Sequence, residues 1–144
     1  MLLTTSFSSA LRRTLFSRTA RRRWTVALFV LAAVVVALAL LPLSIKGPSL
    51  GWDKGNHALA FATLAVCGVY GLRERPAAMP KLAGGLIMLG VGIELAQMFT
   101  PDRQADWQDV VADVVGIAAG MSAALWLAAA LDRRRALRDE DTPR

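Results

Sequence analysis

The chain is short of the residues from which most protein chemistry is built. Of its 144 residues one is cysteine, Cys67, and one is histidine, His57. A single cysteine excludes a disulfide framework and a cysteine-rich zinc site. A single histidine excludes a multi-histidine metal site. Aromatic residues make up 7% of the chain and charged residues 19%. There is no nucleophile elbow, no H-E-x-x-H pair, no strand-length alternation, no internal repeat and no long linker. What is abundant is apolar residue, 55% of the chain, gathered in long blocks away from the charges, with a mean hydropathy of +0.43. A soluble domain of this size mixes apolar and polar residues at short range. This segregation therefore excludes an ordinary soluble enzyme, and it excludes disorder.

The blocks have membrane-spanning lengths. Residues 26–41 are 16 apolar residues without a break, within a 20-residue segment at 24–43. A bilayer core of about 30 Å needs about 20 helical residues. A second block, 82–99, is broken only by Glu94 and Gln97, and a third, 110–131, only by Asp113 and Ser122. The shortest, 57–72, is 16 residues long. Backbone polar groups find no water in hydrocarbon, so runs of this length cross as helices. Turn chemistry separates them at Lys46-Gly47-Pro48-Ser49, Arg73-Glu74-Arg75-Pro76 and Thr100-Pro101-Asp102. The expected fold is all-α: a polytopic four-helix membrane bundle with spans at about 24–43, 57–72, 82–99 and 107–131. A basic tail, 1–23, precedes the bundle and a charged tail, 132–144, follows it.

The net charge of +6 does not point to nucleic acid, because its placement follows the membrane. Arg12, Arg13, Arg18, Arg21, Arg22 and Arg23 precede the first block. Arg73, Arg75 and Lys81 lie between the second and third, and five arginines lie in the last twelve residues. The remaining loops hold only Lys46, Lys54 and Arg103. The positive-inside rule then places both termini in the cytoplasm and the first and third loops outside. Three spans would put the two basic tails on opposite sides, which supports the short block as a fourth. The N-terminal tail, free of acids and rich in Ser, Thr and Arg, has a composition that also marks transit peptides, but it reads as a basic segment attracted to anionic lipid. A cleaved signal is disfavoured because the apolar run is too long and has no small-residue cleavage site behind it.

The polar residues that interrupt or flank the blocks fall on the outer side. Asp53, Lys54 and His57 open the second span, and Glu94 and Gln97 close the third. Asp102, Arg103, Asp106 and Asp109 precede or open the fourth, and Asp113 lies inside it. Glu94 and Gln97, three apart, share a helix face. Asp109 and Asp113, four apart, share another, continued by Gly116 and Gly120 as a small-residue pair that lets a neighbouring helix approach. Ionisable groups within spans are costly and mark sites, or buried ion pairs. The expected binding residues are therefore Asp53, Lys54, His57, Glu94, Gln97, Arg103, Asp106, Asp109 and Asp113.

With those residues in hand, the chain resembles the VanZ-like family of bacterial membrane proteins. The resemblance rests on Asp53-Lys54-Gly55-Asn56-His57 with Phe61 following, on Glu94-Leu95-Ala96-Gln97, and on the series Arg103, Asp109, position 113, Gly116 and Gly120. Asp113 stands where asparagine is common in the family. The resemblance covers roughly 53–120. It implies a multi-pass protein of the bacterial inner membrane with an envelope role, and a link to resistance against the glycopeptide antibiotic teicoplanin. It transfers no catalytic residue.

Three function classes follow from the cluster. The first is a binding protein whose outer pocket takes an envelope lipid or lipid-linked glycan head group, or a glycopeptide. Lys54 and Arg103 would face anions, and Glu94, Gln97 and Asp109 would face hydroxyls or amines. The second is an enzyme at the same place, with His57 as general acid or base positioned by Asp109 or Glu94. A metal held by His57, Glu94 and Asp109 is a variant of it, but the three fit no strong ligand spacing, so no metal or cofactor is expected. The third, ion transport, needs polar residues through the full depth of the membrane, and the cytoplasmic halves are bare. Nothing in the sequence specifies the oligomeric state.

Overall fold

The computed structural model of the chain describes residues 15–41, 53–100 and 105–140. These residues form four long helices and no strand: α1 (Arg18–Leu40), α2 (Asp53–Gly71), α3 (Met79–Gln97) and α4 (Trp107–Glu140). A 3-10 turn at Pro76–Ala78 leads into α3. Each helix contains most of one apolar block. The boundaries are local chemistry. Ser17 caps α1 by accepting the Ala20 N–H at 3.1 Å, a donor the first turn would otherwise leave unpaired. α2 stops at Gly71, ahead of Pro76. Proline has no N–H to continue the ladder, and it drives Arg75 out of helical geometry to φ −127° and ψ 67°.

α1 starts six residues before the apolar block, and α4 runs nine residues past position 131. Arginine is a good helix former, so the backbone continues as helix into water where the hydrocarbon ends. A charged tail on the sequence is here partly a continued helix.

The segments Arg18–Leu40, Pro76–Gln97 and Trp107–Arg134 are long and apolar enough to cross a membrane. α2 is not among them, since its first turns carry Asp53, Lys54, Asn56 and His57. It is instead the centre of the bundle. Phe61, Leu64, Ala65, Val69 and Tyr70 on α2 are all buried, and α1, α3 and α4 all pack on it. Its 19 residues reach about 28 Å, the thickness of a bilayer core. Shielded on several sides, it tolerates polar residues that a lipid-facing helix would not. α1 turns Val26, Phe29, Val30, Val34 and Leu38 outward. In water that face would be an aggregation liability, and against acyl chains it is an ordinary surface. The protein is an all-α, multi-pass membrane bundle.

Two glycines set the distance between α2 and α4. A Cβ on Gly116 would lie 2.9 Å from the Cα of Ala58, and one on Gly120 would lie 2.8 Å from the Cα of Ala62. The helices therefore touch backbone to backbone. At the far end of the bundle, Arg73 pairs with Asp132 and Arg21 with Glu74. The Arg73 guanidinium lies 3.7 Å from the Phe16 ring centre, and Phe16 and Trp24 both pack on Tyr70. These contacts tie α1, α2 and α4 together at the end opposite the polar cluster.

Candidate functional site

The close approach of α2 and α4 brings their first turns side by side, and α3 ends beside them. His57 comes from α2, Glu94 from α3, and Asp109 and Asp113 from α4. His57 Nδ1 lies 3.1 Å from Asp113 Oδ1, and Nε2 lies 3.7 Å from Asp109 Oδ2. Lys54 Nζ, one turn before His57, donates to Asp106 Oδ2 at 2.8 Å and lies 3.9 Å from Asp109 Oδ1. Asp106 in turn donates its backbone N–H to Glu94 Oε2 at 2.8 Å. A continuous chain of polar contacts thus joins Glu94, Asp106, Lys54, Asp109, His57 and Asp113.

Burial is uneven across this chain. Asp113 is 1% exposed, Glu94 5% and Asp109 8%, while Lys54 and Asp106 are partly open. The cluster therefore has an outer ion pair, Lys54–Asp106, and an inner group of three carboxylates around His57. Glu94 Oε1 is buried and has no hydrogen-bond partner among the described residues. The Lys54 ammonium holds the Asp106 carboxyl below the usual carboxylate range, and the Gln108 backbone N–H, donated to Oδ1 at 2.8 Å, adds to the effect. Both interactions favour the ionised form.

Gln97 is 3% exposed and donates through Nε2 to the backbone carbonyl of Ala39 at 3.1 Å. The bond ties the end of α3 to the end of α1. Gln97 thus holds the wall of the site and does not join the chain of acids. Arg103 lies outside the described residues, as does the side chain of Asp53. Gly116 and Gly120 lie further along α4, against Ala58 and Ala62 of α2.

Three contributors escape a reading of the sequence. Gly90 leaves the space that Asp113 occupies: a Cβ there would lie 2.5 Å from Asp113 Oδ2 and 3.4 Å from the Phe61 ring. Its signal was present, because Gly90 is four residues before Glu94 and shares its face. The Asp106 backbone N–H and the Ala39 carbonyl carry no side-chain signal at all.

The VanZ/LLP1 family model matches residues 1–128. The chain belongs to this family. The VanZ/LLP1 match extends through α1, which the motif resemblance leaves unmatched, and takes in most of α4. Neither the curated proteins nor the solved structures contain a significant match. All three sequence segments that carry the resemblance to VanZ-like proteins meet at the described cluster: the first through Lys54 and His57, the second through Glu94, and the third through Asp109 and Asp113.

Proposed function

We propose that this VanZ/LLP1 protein binds the head group of an envelope lipid or lipid-linked glycan at the His57 cluster, on the extracytoplasmic face of the bacterial inner membrane. The orientation rests on the arginines. The cluster end carries Lys54 alone among the described lysines and arginines, whereas the opposite end carries Arg21, Arg73 and the arginines of α4. Both termini then lie in the cytoplasm. A role in the response to glycopeptide antibiotics rests on the family resemblance alone.

The observation that carries the reading is the surplus of acceptors. Among the described residues, Glu94, Asp106, Asp109 and Asp113 converge around one lysine and one imidazole, and Lys54 is paired with Asp106. Carboxylates held at the wall of a membrane bundle accept from hydroxyl and ammonium groups. A head group rich in such donors, held at the bilayer surface by its own acyl chains, matches the site in both chemistry and position.

Native mass spectrometry of the protein in mild detergent tests this directly. A lipid should remain bound to the wild type and be lost or exchanged more readily in Glu94→Gln at equal folded yield. Wild-type protein that retains no lipid and takes none up from bacterial lipid extract would refute it. One geometric feature favours a second reading. Asp113 orients the His57 imidazole with its other nitrogen toward Asp109, as an acid orients a general base. Conversion of the retained lipid to a product of different mass, lost in His57→Gln, would make the protein an enzyme on the same substrate.

A further inference from the structure

We propose that His57, Glu94 and Asp109 form a divalent metal site with open coordination positions. One ligand atom from each of the three lies within 4.8 Å of the other two. They come from three different helices, which is why residue spacing along the chain does not betray them. The imidazole is borderline in softness and the carboxylates are hard, a set that suits Zn²⁺ or Mn²⁺. Two carboxylates and a neutral imidazole also match a dication in charge.

Two further observations point to a missing cation. Glu94 is 5% exposed, its Oε2 is taken by the Asp106 N–H, and its Oε1 is buried with no hydrogen-bond partner among the described residues. A carboxylate oxygen left so is costly unless something positive meets it. The second observation is the setting of the imidazole. Asp113, 1% exposed, faces His57 Nδ1 at 3.1 Å. With the proton on Nδ1, donated to Asp113, the lone pair on Nε2 points toward Asp109 Oδ2 at 3.7 Å. That gap is too long for a good hydrogen bond. It is close to the separation of two ligands that each sit about 2.1 Å from one ion. Carboxylate–histidine–metal chains of this kind fix the tautomer and raise the basicity of the ligand.

The surrounding contacts belong to the same arrangement. The Asp106 N–H holds the second oxygen of Glu94, and Lys54 stands 3.9 Å from the second oxygen of Asp109. Each first ligand is thus held by a second group. Three protein ligands leave a tetrahedral or larger shell incomplete, which is the pattern of sites that bind water or substrate rather than of closed structural sites. The inference goes beyond head-group binding and stands without it: a protein that binds metal and retains no lipid would keep the one and lose the other.

The chain's single histidine makes the test clean. The full chain, purified in mild detergent without a polyhistidine tag and stripped with a chelator, is titrated with Zn²⁺ and with Mn²⁺, with Mg²⁺ as the comparison. One ion of Zn²⁺ or Mn²⁺ should bind per chain, and Glu94→Gln and Asp109→Asn should each weaken binding at least tenfold. In wild-type protein labelled with ¹⁵N-histidine, Zn²⁺ should move the Nε2 resonance and leave Nδ1 protonated. This second measurement stands even if both variants fail to fold. Absence of saturable binding, variants that bind as the wild type does, or imidazole resonances that ignore Zn²⁺ would each overturn the site.

Discussion

Replacing Gly116 by alanine should weaken the bundle, although alanine is the better helix former. The new Cβ would lie 2.8 Å from the carbonyl carbon and 2.9 Å from the Cα of Ala58, and closer still to its oxygen. Carbon atoms in favourable contact sit about 3.5–4.0 Å apart, so α2 and α4 must separate by roughly 1 Å. The opposing atoms are backbone, so no side-chain rotation relieves the overlap. Overpacking of this kind costs about 1–3 kcal/mol. The gain in helix propensity, up to about 1 kcal/mol, works in the other direction. Gly84 isolates that second effect, because a Cβ there meets nothing within 4 Å. Gly84→Ala should be neutral or stabilising, and Gly116→Ala should fall below it by about 2 kcal/mol, a factor of roughly 30 in the folded-to-unfolded ratio. Reversible unfolding in mixed micelles, followed by circular dichroism, measures both variants on one scale. Equal stability for the two would mean that α2 and α4 do not meet backbone to backbone.

The remaining predictions concern the cluster and its side of the membrane. In a Cys67→Ala background, a cysteine at Ser49 should react with an impermeant thiol reagent from outside the cell and one at Ala77 should not; the reverse pattern would put the cluster in the cytoplasm. Asp113→Asn should keep normal membrane abundance, since its amide oxygen still accepts from His57 Nδ1–H, whereas Asp113→Leu should cost about 1–3 kcal/mol by leaving that donor unpaired. Asp109→Asn and Glu94→Gln should lose activity in an envelope-stress complementation assay at normal abundance; full complementation by both would remove the cluster from function. The Asp106 carboxyl is lowered by Lys54, so its contribution to stability is present above the unfolded value of about 3.9 and is lost as pH falls through its lower folded value. Carboxyl ¹³C titration should show the Asp106 midpoint rising in Lys54→Met, and an unmoved midpoint would mean that the pair is absent in solution.

Much of the fold is legible in the sequence, and the reason is physical. A bilayer imposes a length on every crossing helix, so uninterrupted apolar runs report the elements directly. The cost of polar groups in hydrocarbon made Glu94 and Asp113 conspicuous. The pairings were hidden because spacing along one helix reveals a shared face, but not the rotation and height of that face against another helix. Lys54 therefore could not be assigned to Asp106 rather than Asp113, nor Gln97 to a carbonyl of α1. The tail boundary was blurred for a related reason. Hydropathy marks where hydrocarbon ends, while the α1 backbone stays helical through six further residues at its start.

The pairing of α2 with α4 has an electrostatic consequence. Both helices start at the cluster end and run the same way, so their peptide dipoles point in parallel. Each helix start carries about half a positive charge. Packed backbone to backbone at Gly116 and Gly120, the two starts lie near one another, an arrangement that repels in a medium with little screening. Asp109 stands in the first turn of α4, and Asp113 reaches across to the early part of α2 through His57. The acids therefore sit where the paired helix starts make the surroundings most positive, and their negative charge relieves the repulsion between the helices that present them. Neutralising them all would burden the α2–α4 contact itself, so ligand binding at the cluster and the packing of the bundle are coupled through the same few charges.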